Sequence, residues 1–320
     1  MKIFAMGGAG GNVAARFLKF QSKANHGFSE IECVFVDTSK SNLSPNIPAS
    51  QIYLVDNLDG SGKLRASNYQ VLNECSKDIL LQHKPADLNV ILSSGGGGSG
   101  SVLGPIVTSE LLGRGETVIV ITIGSTSSRK ETDNTLKTLH SYEKISQLRN
   151  KPVVMAYREN SASTPRGHID AEVDSMILAL SAIFSGNNRE LDMSDLRNFL
   201  NYHLVTSFTP KLTYLDITSG SVMLSKGQAL VSLVTLTDDS TSSDVDVLAE
   251  YQAVGFIPDA AKENLGIAMP LHAAVITGYF NGVAERLEAK LATYDEVRHV
   301  VIEKSIAGKD TATTDDGLVL

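Results

Sequence analysis

Two strings of glycine and one pair of aspartates are the residues of this chain whose types and spacing suit chemistry. Ser94-Gly95-Gly96-Gly97-Gly98-Ser99-Gly100-Ser101 follows directly on the apolar run Leu88-Asn89-Val90-Ile91-Leu92. Four consecutive glycines leave a bare backbone whose N–H groups can crowd round one anion. The segment after them, Val102 to Leu112, has a helical pattern. The string therefore falls at a helix N-terminus, where unpaired N–H groups and the helix dipole both favour phosphate. Such a run carries an entropy cost that a plain connector has no reason to incur. The second string, Gly7-Gly8-Ala9-Gly10-Gly11-Asn12, stands between the strand-like Lys2–Met6 and a helical stretch expected over Val13–Phe20. Asp192 and Asp195 are the acidic pair. A spacing of three puts both carboxylates on one face of a starting helical turn, suited to orienting a water or, more plainly, to capping the helix.

These residues need elements to hold them, and the first 160 or so residues alternate apolar strand and amphipathic helix. Strands are expected at Lys2–Met6, Ile31–Val36, Gln51–Val55, Asn89–Ser93, Val118–Ile123 and Val153–Tyr157, with helices between them such as Val71–Gln82 and Thr132–Leu148. Alternation of this kind specifies an α/β fold whose mostly parallel sheet is covered on both faces. Ligands of such sheets collect at the carboxyl ends of the strands. Both glycine strings, Asp37 and the run Ser125–Ser128 fall at such ends. A long apolar helix over Asp170–Phe184 follows, with Val173, Ile177, Leu180 and Phe184 on one face, as expected of a buried central strut. The strand-like segments Lys211–Thr218, Ala229–Thr237, Ala253–Ile257 and Ala273–Thr277 then suggest a second, smaller α/β domain. A helix over Val283–Ile306 and a Thr- and Asp-rich tail, Lys309–Leu320, finish the chain. The expected division is 1–168, 169–187, 188–282, 283–308 and 309–320.

Composition removes several function classes. With 42% apolar and 20% charged residues over 320 positions, the chain has the balance of an ordinary globular protein with ample core. A net charge of −8 argues against a nucleic-acid-binding surface. The two cysteines, Cys33 and Cys75, and seven scattered histidines build no metal cluster. No apolar run approaches the roughly 20 residues needed to cross a bilayer, and the chain enters a strand at once rather than a leader. A reduced, cytoplasmic protein is expected. No G-x-x-x-x-G-K-[ST] string occurs, which excludes a P-loop enzyme. A nicotinamide-dependent oxidoreductase remains an alternative, with Asp37 at the end of its second strand placed to hold a ribose hydroxyl. Against it, Gly8-x-Gly10 is followed by Val13 where the strict dinucleotide fingerprint needs a small residue. Asp37 is equally suited to capping its turn, and Asp170 and Asp174 at the head of the long helix suit either a base or sugar contact or the helix dipole.

Four elements in one order give the chain its resemblance to the tubulin/FtsZ family of filament-forming GTPases; its length near 320, its divergence and a helix-plus-acidic tail in place of a long linker resemble the phage-encoded branch. Gly7–Asn12 is similar to the family's first phosphate loop. Gly96-Gly97-Gly98-Ser99-Gly100-Ser101 resembles its GGGTG[ST]G signature, with serine for threonine and Val102 for the last glycine. Tyr157-Arg158-Glu159-Asn160 ends a strand where the family sets an asparagine against guanine. Leu191-Asp192-Met193-Ser194-Asp195-Leu196-Arg197 resembles the N-x-D-F-A-D-V-[RK] loop, with Glu190 in the asparagine's place. The resemblance implies a Rossmann-like GTP-binding domain, a second smaller domain, a C-terminal helix and an acidic tail. It implies GTP and GDP as ligands, with Mg²⁺ held mainly by phosphates and water. Gly8, Ala9, Gly10, Gly11, Asn12 and Gly95 to Gly100, Ser99 included, would cradle the phosphates. Gly60-Ser61-Gly62 falls at the γ-phosphate loop, where Lys63 adds a charge. Asn160 would read the base. The loop Thr126–Glu131 replaces the usual sugar loop, leaving Ser128 and Glu131 as its candidates. In the family the acids corresponding to Asp192 and Asp195 act on the nucleotide of the next subunit, so the implied partner is the chain itself, head to tail. The tail, with Asp310, Asp315 and Asp316, is expected to contact a neighbouring subunit. Proteins of the phage branch position viral DNA or compartments in the infected bacterium, which implies the host cytoplasm as the place of action.

Overall fold

The computed structural model describes residues 1–18, 27–56, 58, 60–161, 163–238, 248–259 and 269–303. Apolar runs bounded by turn residues become strands buried on both faces, and the amphipathic stretches become the helices that bury them. In chain order the elements are β1 (Lys2–Met6), α1 (Gly7–Ala14), β2 (Glu32–Asp37), β3 (Ile52–Leu54), α2 (Arg65–Gln82), β4 (Asn89–Ser94), α3 (Gly100–Arg114), β5 (Val118–Ser125), α4 (Arg129–Arg149), β6 (Val153–Asn160), α5 (Arg166–Ile183), α6 (Met193–Leu200), β7 (Leu212–Thr218), β8 (Ala229–Thr237), β9 (Tyr251–Phe256), β10 (Leu271–Thr277) and α7 (Tyr279–Glu303). All ten strands share one sheet in the order β3-β2-β1-β4-β5-β6-β7-β10-β8-β9. The first six run parallel, with β1 in register between β2 and β4. The two halves of the chain meet where Val153–Met155 of β6 pairs in parallel with Leu212–Tyr214 of β7. Only β10 runs against its neighbours, β7 and β8.

Side chains alternate across each strand, so one sheet feeds two cores. Ile3 and Ala5 of β1 pack with Val13, Val173, Leu180 and Leu196 of α1, α5 and α6 on one face. Phe4 and Met6 pack with Leu72, Leu103, Leu136 and Leu287 of α2, α3, α4 and α7 on the other. The expected central strut is α5, buried along Ile169, Val173, Ile177 and Leu180.

Several boundaries differ from the sequence pattern, and three of them have a clear physical reason. The helix expected from Val13 starts at Gly7 and ends at Ala14, because the glycine string is itself the first turns of the helix; residues 19 and 20 lie outside the described residues. The helix expected from Val71 begins six residues earlier, at Arg65, where polar and exposed residues give no apolar stripe to read. The strand expected over Gln51–Val55 is the three-residue edge strand Ile52–Leu54. Residues 304–306 of the last helix, the tail, and most of the loop expected at Thr237–Asp246 lie outside the described residues.

Candidate functional site

Adjacent parallel strands deliver two helix N-termini to one spot. β1 runs straight into α1 at Gly7, and its neighbour β4 leads through Ser94–Ser99 into α3 at Gly100. Gly7 has φ +75°, and a Cβ there would stand 3.0 Å from the Gly100 nitrogen. A Cβ on Gly100 would meet the Met6 carbonyl oxygen at 2.7 Å. Glycine on both sides is what lets the two helix starts approach this closely. Their unpaired N–H groups and aligned dipoles converge beside a cavity of about 480 Å³, a volume within the range of small-molecule sites.

Thirteen of the residues singled out by sequence line this cavity: Gly8, Ala9, Asn12, Gly62, Lys63, Gly96, Gly97, Gly98, Ser99, Gly100, Glu131, Asn160 and Asp170. The buried Oδ1 of Asn160 has no hydrogen-bond partner among the described residues. Loop 60–63 folds over the glycines with positive φ at Gly60, Gly62 and Lys63. It lies so close that a Cβ on Gly98 would fall 1.9 Å from Ser61 Oγ. Lys63 is clasped by Glu131, whose other oxygen accepts from Ser125 Oγ at 2.6 Å. Burial alone would raise the Glu131 carboxyl, yet the hydrogen bonds from Lys63 and Ser125 and the charges of Lys63 and Arg166 take it below its ordinary range.

The other six stand behind the wall. A Cβ on Gly10 would meet the Leu92 carbonyl oxygen at 2.3 Å, so this glycine seats α1 on the sheet. Gly11 faces Phe35, and the Gly95 nitrogen donates to the Ile123 carbonyl. Asp37 accepts from the Thr38 nitrogen at 2.6 Å and from Asn42 Nδ2 at 3.1 and 3.2 Å, and burial raises its carboxyl in spite of those donors. It organises the turn that presents Asn42 to the cavity. Ser128 caps α4, accepting from the Glu131 nitrogen at 3.3 Å. Asp174 accepts from Arg16 at 2.6 Å, and the same guanidinium reaches Asp170 at 3.1 Å.

Ser61, Ser94 and Ser125, which the sequence places in these same loops without a role of their own, also line the cavity, as do Asn42 and Arg166, which it does not single out; nor does it single out Asn134. Asn134 Nδ2 donates to the carbonyls of Lys63 (3.0 Å) and Gly96 (3.1 Å), tying loop 60–63 to the glycine string. Arg65 makes a similar tie at the start of α3, donating to the Ser101 carbonyl, to Thr138 Oγ1 and to Ser141 Oγ.

Asp192 and Asp195 lie elsewhere. They form a capping box on α6: Asp192 Oδ1 accepts from the nitrogens of Ser194 (2.6 Å) and Asp195 (3.0 Å), and Asp195 Oδ2 accepts from the Asp192 nitrogen (3.2 Å). Tyr251 Oη donates to Asp195 Oδ1 at 3.0 Å. Asp192 is exposed. Glu190 turns the chain into α6 with φ +61°, a conformation that asparagine adopts more readily than glutamate. Arg197 of α6 shares a recess with 85–87 and 115–117, the segments leading into β4 and β5. The pair therefore belongs to the amino ends of the parallel strands, and the glycine cradle to their carboxyl ends. The 18 residues of α5, roughly 27 Å at 1.5 Å per residue, span the distance between them.

The strand order and the glycine cradle at the carboxyl ends of β1 and β4 place the chain in the tubulin class of folds. The GTPase domain of the Tubulin/FtsZ family matches residues 1–162, half of the chain, and the chain belongs to that family of GTPases. The oxidoreductase alternative is thereby set aside. Among relatives, the phage tubulin-like protein of Pseudomonas phage PhiPA3 is 27% identical over 297 residues, covering 90% of this chain and 92% of that one. The phage tubulin-like protein of Pseudomonas phage phiKZ is 26% identical over 214 residues, 63% of each chain. Among solved structures, the phage tubulin PhuZ with GDP superposes with a TM-score of 0.84 at 19% identity, covering 100% of this chain and 99% of that one. The protofilament of TubZ from bacteriophage PhiKZ gives 0.81 at 21% identity, covering 99% and 96%. The fold is therefore that of the phage tubulins.

Proposed function

We propose that this chain is a GTP-driven, filament-forming cytoskeletal protein whose active site is completed by a neighbouring subunit. The observation that carries it is the placement of a glycine-walled, two-helix cradle at the carboxyl ends of the parallel strands and of an aspartate pair, Asp192 exposed and Asp195 half-buried, at their amino ends. Stacked head to tail, each subunit would set Asp192 and Asp195 against the cradle of the next. Backbone N–H groups of α1, α3 and the glycine string would take the phosphates, loop 60–63 with Lys63 would close over the terminal one, and Asn160 and Asp170 would read the base and sugar side. Phosphoryl transfer asks chiefly for positioning and electrostatics, and two carboxylates aimed at an in-line water supply the former. Mg²⁺, which prefers phosphate and water ligands, would ride on the nucleotide and stabilise its charge. In this reading 1–168 bind nucleotide, 169–187 form the strut, 188–282 present the aspartates, 283–308 form the C-terminal helix and the tail 309–320 reaches a neighbour; the tail lies outside the described residues. For the cellular role we propose positioning of viral DNA or a viral compartment in the host cytoplasm; the relatives are phage tubulin-like proteins, which fits a phage setting.

The test is GTP turnover per subunit across protein concentration, with light scattering read in parallel. Both are expected to rise together above a threshold. Asp192→Asn keeps an excellent helix cap but removes the charge. Turnover is expected to fall about a hundredfold or more while the melting temperature holds. Constant turnover per subunit without scattering, or full activity in Asp192→Asn, would leave Asp192 as a cap and nothing more.

A further inference from the structure

The cavity wall at 125–131 has two sides. Its inner side presents Ser125 and Glu131 to the cavity. Its outer side is bound to the C-terminal helix α7. Tyr294 Oη donates to the Thr126 carbonyl at 3.0 Å, and the Arg129 guanidinium forks onto Asp295, with Nε to Oδ1 at 2.7 Å and Nη2 to Oδ2 at 3.3 Å. A third contact lies nearby, where Arg286 Nη2 donates at 2.9 Å to Glu159 Oε2 at the end of β6. None of Thr126, Arg129, Tyr294 or Asp295 lines the cavity.

The wall is otherwise tied to its own strand and helix: the Ser125 nitrogen donates to Thr135 Oγ1 at 3.1 Å, the Thr126 nitrogen donates to the Asn160 carbonyl, and among the described residues Ser127 bonds within the turn, to Ser125 Oγ. Arg129 is the first residue of α4, and Glu131, two residues on, carries the clasp to Lys63 and hence to loop 60–63. A shift of this first turn would move Glu131, Ser125 and loop 60–63 together.

We infer that Arg129, Tyr294 and Asp295 are positioning residues for the nucleotide cavity: α7 holds the 125–131 wall, and through Glu131 the loop over the terminal phosphate, in its binding geometry. Resting on the nucleotide reading above, the assignment gives the C-terminal helix a role in ligand binding within its own subunit, through residues that never touch the ligand.

The experiment measures affinity for a slowly hydrolysed GTP analogue and for GDP, on the full chain below its assembly threshold. Asp295→Ala and Arg129→Ala are each expected to weaken analogue binding about two- to fivefold, the scale of one half-exposed ion pair. The double variant should lose no more than either single one, because both remove the same contact. The swap of Arg129→Asp with Asp295→Arg should recover some of the affinity. Tyr294→Phe should add its own loss. Glu110→Ala, which breaks a surface pair with Arg114 away from the wall, is the control and should leave affinity unchanged. Wild-type affinity in all wall variants, or an equal loss in Glu110→Ala, would overturn the positioning role while leaving the nucleotide reading intact. A wild-type chain that binds neither nucleotide would overturn both.

Discussion

Glu131 shows how one side chain serves the cavity. It ties Lys63 and Ser125 together across the wall, and its carboxyl sits below the ordinary range once burial is outweighed by those donors and by Arg166. A carboxyl depressed in the folded state binds fewer protons there than in the unfolded chain, so stability rises with pH between the two values. The advantage of wild type over Glu131→Gln should therefore be complete above the unfolded value, shrink as pH falls through it, and vanish below the depressed folded value. Denaturant titrations at a series of acid pH values check this; a difference independent of pH would contradict it. At this scale the glycines were legible, since a string of four after a buried strand leaves a bare backbone that a plain connector does not need. Asn42, Arg166 and Asn134 were not, because single polar residues on turns and helix faces carry no periodic signal. Asp37 was legible as a strand-end acid, yet its hydrogen bonds to Thr38, Ser39 and Asn42 belong to turn chemistry.

Helices and strands decide which glycine does what. Gly10 sits where α1 crosses the sheet, and its added Cβ would strike the backbone of Leu92 at 2.3 Å. Gly98 sits under loop 60–63, and its Cβ would strike Ser61. Gly10→Ala must lift a helix from its strand and should cost about 1–3 kcal/mol of stability, with or without ligand. Gly98→Ala can be relieved by moving the loop, so the nucleotide-free melting temperature should change little while nucleotide affinity falls at least about tenfold. Thermal melts with and without GDP separate the two; equal behaviour would contradict the assignment. Element types were readable because buried parallel strands appear as plain apolar runs. Strand starts such as Lys2, Asn89, Val118 and Val153 were read directly, but helix starts were not: α1 begins inside its glycine string and α2 begins on polar residues with no apolar stripe. The short helix α6 was visible only as a cap.

The molecule as a whole is one sheet with two different ends. That continuity was not legible: the pairing of β6 with β7 joins residues about sixty positions apart through three register pairs, and no local pattern encodes it. The separation of cradle and aspartates along α5 predicts complementation. Asp192→Asn subunits keep a sound cradle, and Gly98→Ala subunits keep sound acids. Each alone should turn over GTP slowly, and an equal mixture should exceed the mean of the two, because an intact cradle can then meet an intact pair. A mixture at the mean of its components would place the acids in the wrong role.

The same two-ended geometry has an arithmetical consequence. If the acids of one subunit complete the cradle of the next, as proposed, an open row of N subunits has only N − 1 junctions, and one tip carries a cradle that no neighbour completes. The fraction of idle sites is 1/N: largest in the shortest rows, negligible in long ones, and erased if a row closes into a ring. Each row would thereby keep a chemical mark of its own direction and a measure of its own length.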